Sequence, residues 1–265
     1  MRFAEAGNPT GGRQSLISED VILTEVQGHK MYVGAQDAVI DSLLAYEKFE
    51  TDLFKRQIKE GMTVVDLGAH LGYYTLIAAK LVGWRGEVFA FEPEPYNYGL
   101  LIRNIATNGY SNVIAVQKAV SNRVGSARLF LSRDNSGDHR MYDSHDGRDS
   151  IEIETVTLDK FFKDKSNGID VIKMDVQGAE MAALQGMGNI IKKNASLKII
   201  TEFWPIGLRR FAYSPEGYLN SLIEYGFQLF HINEQKEELE PIDANACMQM
   251  CSGERFTNLL CLRKE

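Results

Sequence analysis

From Thr63 onward the chain alternates short apolar runs, rich in valine, isoleucine and phenylalanine, with longer stretches of helical period. This alternation constrains the fold more than any other feature. A strand buried on both faces reads as a continuous apolar run, and parallel neighbours need a crossover helix between them. The pattern predicts an open α/β sheet with strands at 63–67, 87–91, 112–117, 170–174 and 197–201, and helices starting near Tyr73, Glu94, Gly178 and Pro215. The last apolar segments, 227–233 and 258–262, are strand-like with no helical period between them. They predict an antiparallel hairpin that closes one edge and brings a mostly parallel sheet to seven strands.

Ahead of the alternation lies a smaller element. LTEVQGHKMYV, Leu23 to Val33, divides into two short strands around Gly28, where glycine permits a positive-φ turn. A helix is expected from Thr51, with Leu53, Phe54 and Ile58 on one face, the threonine as cap and Gly61 as stop. Residues 1–50 are therefore read as an N-terminal extension with a small hairpin, and 51–265 as the main domain. The opening MRFAEAGNPTGGRQS has no apolar core, so neither a signal peptide nor a membrane anchor is expected there. No stretch approaches the roughly 20 apolar residues of a spanning helix. A soluble, cytoplasmic protein with a mobile N-terminus and no membrane insertion is the expectation.

The formal net charge of −7 argues against a surface built to neutralise nucleic-acid phosphates or anionic lipid, and favours a small or uncharged partner. Cys247, Cys251 and Cys261 cannot all pair within the chain and have no histidine nearby, so packing is expected of them, with neither a disulfide framework nor a zinc site.

Residues 120–157 read as an insertion. ARLFLS and SIEIETV, at 127–132 and 150–156, alternate apolar and polar residues as half-buried strands do, and a long polar segment, 133–149, joins them. A connection of that length is either functional, as a lid, or disordered.

The strongest chemical signal is VVDLGAHLGYYT, Val64 to Thr75, in which a buried strand ends in an acid and enters a glycine-bearing turn before a helix. Gly68 and Gly72, lacking Cβ, let backbone pass close to a ligand whose volume a side chain would occupy. Asp66 either accepts from a cationic amino group or supports the loop, while the helix that begins at Tyr73 offers free N–H groups to a carboxylate. The zwitterion of methionine matches both. His70 faces the same turn, as a shaper of it, a ligand contact or a base. In VFAFEP, Glu92 ends the next strand, followed by Pro93, at the place where a carboxylate accepts both ribose hydroxyls of an adenosine. Ala119, in KAVSN, is small enough for an adenine to lie against backbone. Tyr98, Leu101, Ile102 and Ile105 form an apolar stripe read as core, with Asn104 and Asn108 at the surface.

IDVIKMDVQGAE, Ile169 to Glu180, is again a buried strand with a polar exit. Lys173 and Asp175 share a strand face, and Asp175 sits where the strand leaves the sheet, as base, orienter or loop brace. Glu180 suits the first turn of the next helix, where capping and catalysis are both open readings. TEFWP ends the fifth strand at Glu202, with Phe203 as core and Trp204 as a wall for an apolar pocket. Asp175, Lys173 and Glu202 are the catalytic candidates. Asp175 and Glu202 supply two hard oxygen ligands, too few to specify a metal, and none is assigned. His139 and His145 are expected to be solvated.

With VVDLGAHLGYYT, FEPEPYNYGLLIRNI, KAVSN, VTLDKF and IKMDVQGAE in this order, the chain resembles the FkbM family of S-adenosylmethionine-dependent methyltransferases over roughly 51–202. The resemblance implies a Rossmann-like class I fold, which ends in an antiparallel hairpin of the kind expected above. It also implies O-methylation of a hydroxyl on a sugar, glycolipid or secondary metabolite, with a small-molecule or glycan acceptor. S-adenosyl-L-methionine is the implied cofactor, held by Asp66, Gly68, Gly72 and Glu92, with His70, Tyr73, Pro93, Ala119 and Asp175 beside them. His70 stands where the family often shows asparagine, and Gln177 where it often shows glutamate. A nicotinamide-dependent oxidoreductase would share the sheet and the ribose acid but needs G-x-G-x-x-G, which GAHLG is not. A non-catalytic scaffold would have no need of the intact Asp66, Gly68, Gly72 and Glu92.

Overall fold

The computed structural model describes residues 21–35, 47–165 and 168–263. The expected mobility of the first residues falls on a segment outside these. An antiparallel pair, β1 (Val21–Val26) and β2 (His29–Gly34), comes first, turning at Gln27 and Gly28 with φ of 53° and 75°. Two successive positive φ angles match the right-handed twist of a tight hairpin.

Helix α1 (Lys48–Gln57) leads into the main sheet. It starts ahead of the expected Thr51, which lies inside its first turn. The cap comes from elsewhere: the Glu234 carboxylate accepts from the N–H groups of Phe49 and Glu50 at 3.0 and 2.6 Å. A cap 185 residues away leaves no local signature.

The sheet then builds through β3 (Thr63–Leu67), α2 (Tyr73–Val82), β4 (Glu87–Phe91), α3 (Pro95–Thr107) and β5 (Val113–Val116). The chain next makes β6 (Ala119–Val120), β7 (Gly125–Phe130) and β8 (Ser150–Val156), which form a separate three-stranded sheet in the order β6-β8-β7, and the short helix α4 (Leu158–Phe161). It returns through β9 (Val171–Met174), α5 (Glu180–Gln185), α6 (Gly188–Lys193), β10 (Lys198–Phe203), α7 (Pro205–Arg210) and α8 (Pro215–Glu224). The ending is β11 (Phe227–Asn233), β12 (Glu238–Pro241), α9 (Ala244–Met250) and β13 (Thr257–Arg263).

The main sheet has the order β12-β11-β13-β10-β9-β3-β4-β5. The five strands β5, β4, β3, β9 and β10 are parallel, and β13 runs antiparallel between β10 and β11. The seven expected strands are thus joined by an eighth, β12, at the edge. A helix, α9, also stands between the last two expected strands, where the sequence shows no helical period; its Cys247 and Cys251, with Cys261 of β13, are buried in the core as free thiols.

Period two decides which face each strand residue covers. Val65, Phe89, Ile172 and Ile199 pack into the core that also holds residues of α5 to α9, while Val64, Val88, Val171 and Ile200 pack with α1 and α2. Helix α3 departs from the expected stripe. Leu100, Leu101 and Ile105 are buried, but Ile102 is exposed. Asn104 is buried too, against the expectation of a surface residue. Its amide accepts from Tyr32 N–H at 2.6 Å and donates to the carbonyls of Tyr32 and Leu71, and Asn108 bonds both backbone groups of Lys30. The two asparagines fasten the β1–β2 hairpin to α3, a contact no local pattern shows.

The chain builds outward from β3 to β5, then crosses back to place β9 on the other side of β3. The carboxyl ends of β3 and β9 therefore meet at the point where the strand order reverses, which is where open α/β sheets form their crevices. No helix among the described residues is long and apolar enough to cross a membrane. Replacing Asn104 by leucine should lower stability by about 2–4 kcal/mol, since three buried bonds lose their partner. Urea unfolding measures this, and a loss below about 0.5 kcal/mol would mean the hairpin is not held this way.

Candidate functional site

The loops after β3 and β9 touch. Gly68, at φ 79°, carries its backbone so close to the next loop that a Cβ would stand 1.9 Å from the Asp175 carbonyl oxygen. At Gly72, with φ 97°, a Cβ would meet Leu101 Cδ1 at 2.8 Å. At Gly68 the protein's own backbone packing leaves no room for a side chain, and at Gly72 the positive φ disfavours one, requirements that stand beside the sequence-based reason for them. Gly72 caps α2 and lines neither cavity described below.

Two connected lobes open around this junction and share Gly68, His70, Gly137, Asp175 and Gln177. The smaller, about 70 Å³, is lined by Glu92, Pro93, Asn97 and the apolar Phe91, Ala119, Val120, Leu129 and Met141. The larger, about 610 Å³, has Asp66, Lys173 and Glu202 in its floor and Tyr73, Trp204 and Arg210 in its walls.

In the smaller lobe Glu92 ends β4 as a buried carboxyl. Its oxygens accept from the N–H groups of His70 at 2.8 Å and Glu94 at 2.9 Å. Burial pushes its pKa up to about 8, against these two bonds. Asn97, on the first turn of α3, is buried beside it, and its Oδ1 has no hydrogen-bond partner. Two acceptors flanked by an apolar slot call for a ligand with a pair of hydroxyl donors and a flat apolar part.

The floor of the larger lobe holds several buried carboxyls. Asp66 accepts from Thr75 Oγ1 at 2.6 Å, bracing the start of α2, and burial pushes its pKa up to about 6. Burial, followed by the charges of Asp175 and Glu180, raises Glu202 well above the ordinary range, and its Oε2 has no partner. Asp175 Oδ1 accepts from Gln177 Nε2 at 2.7 Å, so the glutamine found where glutamate is common clamps Asp175 instead of repelling it.

Lys173 is fully buried and bonds Glu50 Oε1 at 3.0 Å, with its Nζ 4.9 Å from the Tyr74 ring centroid. Burial acts to lower its pKa, but the charges of Glu50, Asp175 and Glu47 outweigh it and raise the value. A lysine held protonated has no lone pair with which to take a proton. Glu50 comes from α1, just ahead of the position where the sequence suggested the helix begins, and nothing local marks it as a partner for Lys173.

Glu180 lines neither lobe. Its Oε1 accepts from the N–H groups of Val176 and Gly178 and so braces the loop after β9, while its buried Oε2 has no partner.

Segment 133–149 forms a wall of both lobes. Asp138 takes Arg140 at 2.8 Å and Arg148 at 2.7 Å. The segment is fastened to the sheet loops by His70 Nε2 to Ser136 Oγ at 2.5 Å and by Asn97 Nδ2 to the Ser136 carbonyl at 3.0 Å. His139 is not solvated as expected: it lines the smaller lobe and its Nδ1 accepts from Ser132 N–H at 3.0 Å, whereas His145 is exposed. Among the described residues no group of three or more His, Cys, Asp or Glu side chains is arranged to hold a metal.

Known proteins bear on this geometry. The family model for the methyltransferase FkbM domain matches residues 66–229. Methyltransferase sdnD of Sordaria araneosa is 26% identical over 180 residues, 55% of this chain and 68% of that protein. The hexuronic acid methyltransferase AglP of Haloferax volcanii is 28% identical over 145 residues, 53% of this chain and 56% of that protein. Shorter matches to a protein-L-isoaspartate O-methyltransferase and a ribosomal RNA large subunit methyltransferase E span 31% and 29% of those proteins. A solved structure described as an rRNA methylase, from Clostridium thermocellum, superposes with a TM-score of 0.50 at 12% identity, over 82% of this chain and 94% of that one, a likeness of fold.

Two outcomes follow from the buried charges. Glu50→Ala strands Lys173 as an unpaired buried cation and should cost about 3–5 kcal/mol in chemical denaturation, while a cost under about 1 kcal/mol would place the ammonium in contact with water. Glu92 holds its proton to about pH 8 when folded but only to about 4.5 when unfolded. A raised carboxyl pKa contributes stability that is present below pH 4.5 and lost as pH rises to 8. Relative to Glu92→Gln, the native chain should therefore lose stability between pH 5 and 8, and parallel pH curves for the two would show that Glu92 does not titrate in that window.

Proposed function

The chain belongs to the FkbM family of methyltransferases and uses S-adenosylmethionine, and on that premise we propose that it methylates a hydroxyl oxygen of a sugar or a sugar-like secondary metabolite. The observation that carries this reading is the pair of lobes joined at the Gly68–Asp175 contact, one presenting acceptors for a diol and the other a floor of carboxyls. The residues fit the cofactor. Glu92 and the unpartnered Asn97 Oδ1 would take the ribose hydroxyls, and Ala119, Phe91 and Pro93 would leave a slot for the adenine. Gly68, His70 and Tyr73 would border the remainder, with Asp66 near the amino group.

When bound, S-adenosylmethionine supplies an electrophilic methyl on a sulfonium. The protein's part is to bring an acceptor oxygen into line and to receive its proton. Asp175 lines both lobes, and we assign it the proton, with Gln177 holding one of its oxygens. Glu202, kept protonated by burial, acts as a hydrogen-bond donor to the acceptor and not as a base. Lys173 serves as a fixed positive charge that stabilises the carboxylates around it. The names of two relatives lend support: sdnD is called a methyltransferase, and AglP acts on a hexuronic acid. A small-molecule or glycan acceptor accords with the second name.

Calorimetric titration with S-adenosylhomocysteine tests the assignments. Glu92→Ala should weaken binding about tenfold or more, through the lost acceptor, whereas Asp175→Asn should stay within about twofold of the native affinity. Unchanged binding by Glu92→Ala would remove it from the ribose site, and equal losses in both variants would make Asp175 a cofactor residue.

A further inference from the structure

The larger lobe has a rim that differs in character from its floor. Asp66, Lys173 and Glu202 below are buried, whereas Arg210, Glu254 and Phe256 above are exposed. Phe256, in the turn before β13, keeps 52% of its surface open while lining the cavity, and Trp204 stands half-buried at the start of α7. An exposed aromatic ring, Phe256, beside a half-buried one, Trp204, in a cleft edged by polar side chains suits a ring that has an apolar face and hydroxyl edges.

The cations of the lobe separate cleanly. Lys173 is neutralised by Glu50. Arg140 is neutralised by a forked pair of bonds to Asp138, at 2.8 and 2.9 Å, with its guanidinium 4.9 Å from the Trp204 ring. Arg210 enters no ion pair among the described residues. It lies one helical turn after Ile206 on α7, and both line the cavity, so this face of the helix presents the guanidinium to the lobe. The neighbouring group is the Tyr142 phenol, which is neutral: burial raises its pKa, and the charges of Arg140 and Arg210, with a hydrogen-bonding interaction from Arg210, draw it back only in part.

A guanidinium without a carboxylate partner, facing a cavity with an aromatic wall, matches a carboxylate through two parallel N–H bonds. We infer that the acceptor is an anionic sugar of the uronic-acid class, with Arg210 the specificity-determining residue for its carboxylate and Trp204 and Phe256 flanking its ring. The inference rests on the reading of the larger lobe as the acceptor side.

The test is ligand-observed NMR titration of the protein in saturating S-adenosylhomocysteine with methyl glucuronoside and, separately, methyl glucoside. Native protein should bind the glucuronoside about tenfold more tightly than the glucoside. Arg210→Gln should remove that difference while leaving glucoside binding unchanged, and Arg210→Lys should restore part of it. Since Arg210 is exposed, the thermal transition of these variants should match the native one. Equal affinity for the two sugars, a preference that survives Arg210→Gln, or binding of neither sugar would overturn the inference. Calorimetry with S-adenosylhomocysteine on the same samples keeps the two readings apart: failure of native protein to bind it would sink the cofactor assignment, whatever the sugars do.

Discussion

The contact between Gly68 and the Asp175 carbonyl is the constraint on which the site depends. Two adjacent parallel strands, β3 and β9, release their chains at the same end of the sheet, and the loops can share that space only if one of them has no side chain there. With the loops pressed together, the backbone of each becomes wall for both lobes, and Asp175 lines the two at once. The left-handed backbone at His70 and Gln177 belongs to the same compression, since each turns its loop sharply within two residues of the contact.

Around that junction the protein keeps more acid than it neutralises. Asp66, Glu92, Glu180 and Glu202 are all buried, and burial raises the pKa of each, so every one of them protonates more readily than a solvated carboxyl. Lys173 is the exception. It stays charged because Glu50 reaches it from α1, an element whose own first turn is capped by Glu234 from the far edge of the sheet. The helix that leads into the domain is thereby tied both to the floor of the larger lobe and to the turn after β11.

The two halves of the site differ in how they are made. The part proposed to hold the cofactor comes from strand ends and the turns that follow them, where the residue order itself dictates geometry. Its members, from Asp66 through Glu92 to Asp175, were legible as acids at strand ends, with a glycine turn after Asp66 and Asp175 and a proline after Glu92. The half proposed for the acceptor is assembled from the insertion, from α7 and from the turn before β13, segments far apart in sequence. Arg140, Arg210 and Phe256 carry no local mark of belonging together. Asn97 was in view within the FEPEPYNYG stretch, yet only its buried, unpartnered Oδ1 distinguishes it from a surface asparagine.

By itself the sequence determined the strands other than β12, their mostly parallel direction and the glycine turns, because these follow from side-chain period and backbone freedom over a few residues at a time, and the order of its motifs marked the family. Tertiary structure decided what those periods cannot encode. It buried Asn104 under the hairpin, put Glu50 against Lys173, turned His139 into the smaller lobe and added β12 beside β11. It also gave Gly68 a further requirement, room for the Asp175 carbonyl. Each of these is a contact between residues distant in the chain, and its energy depends on burial and partner distance, quantities that exist only once the chain has folded.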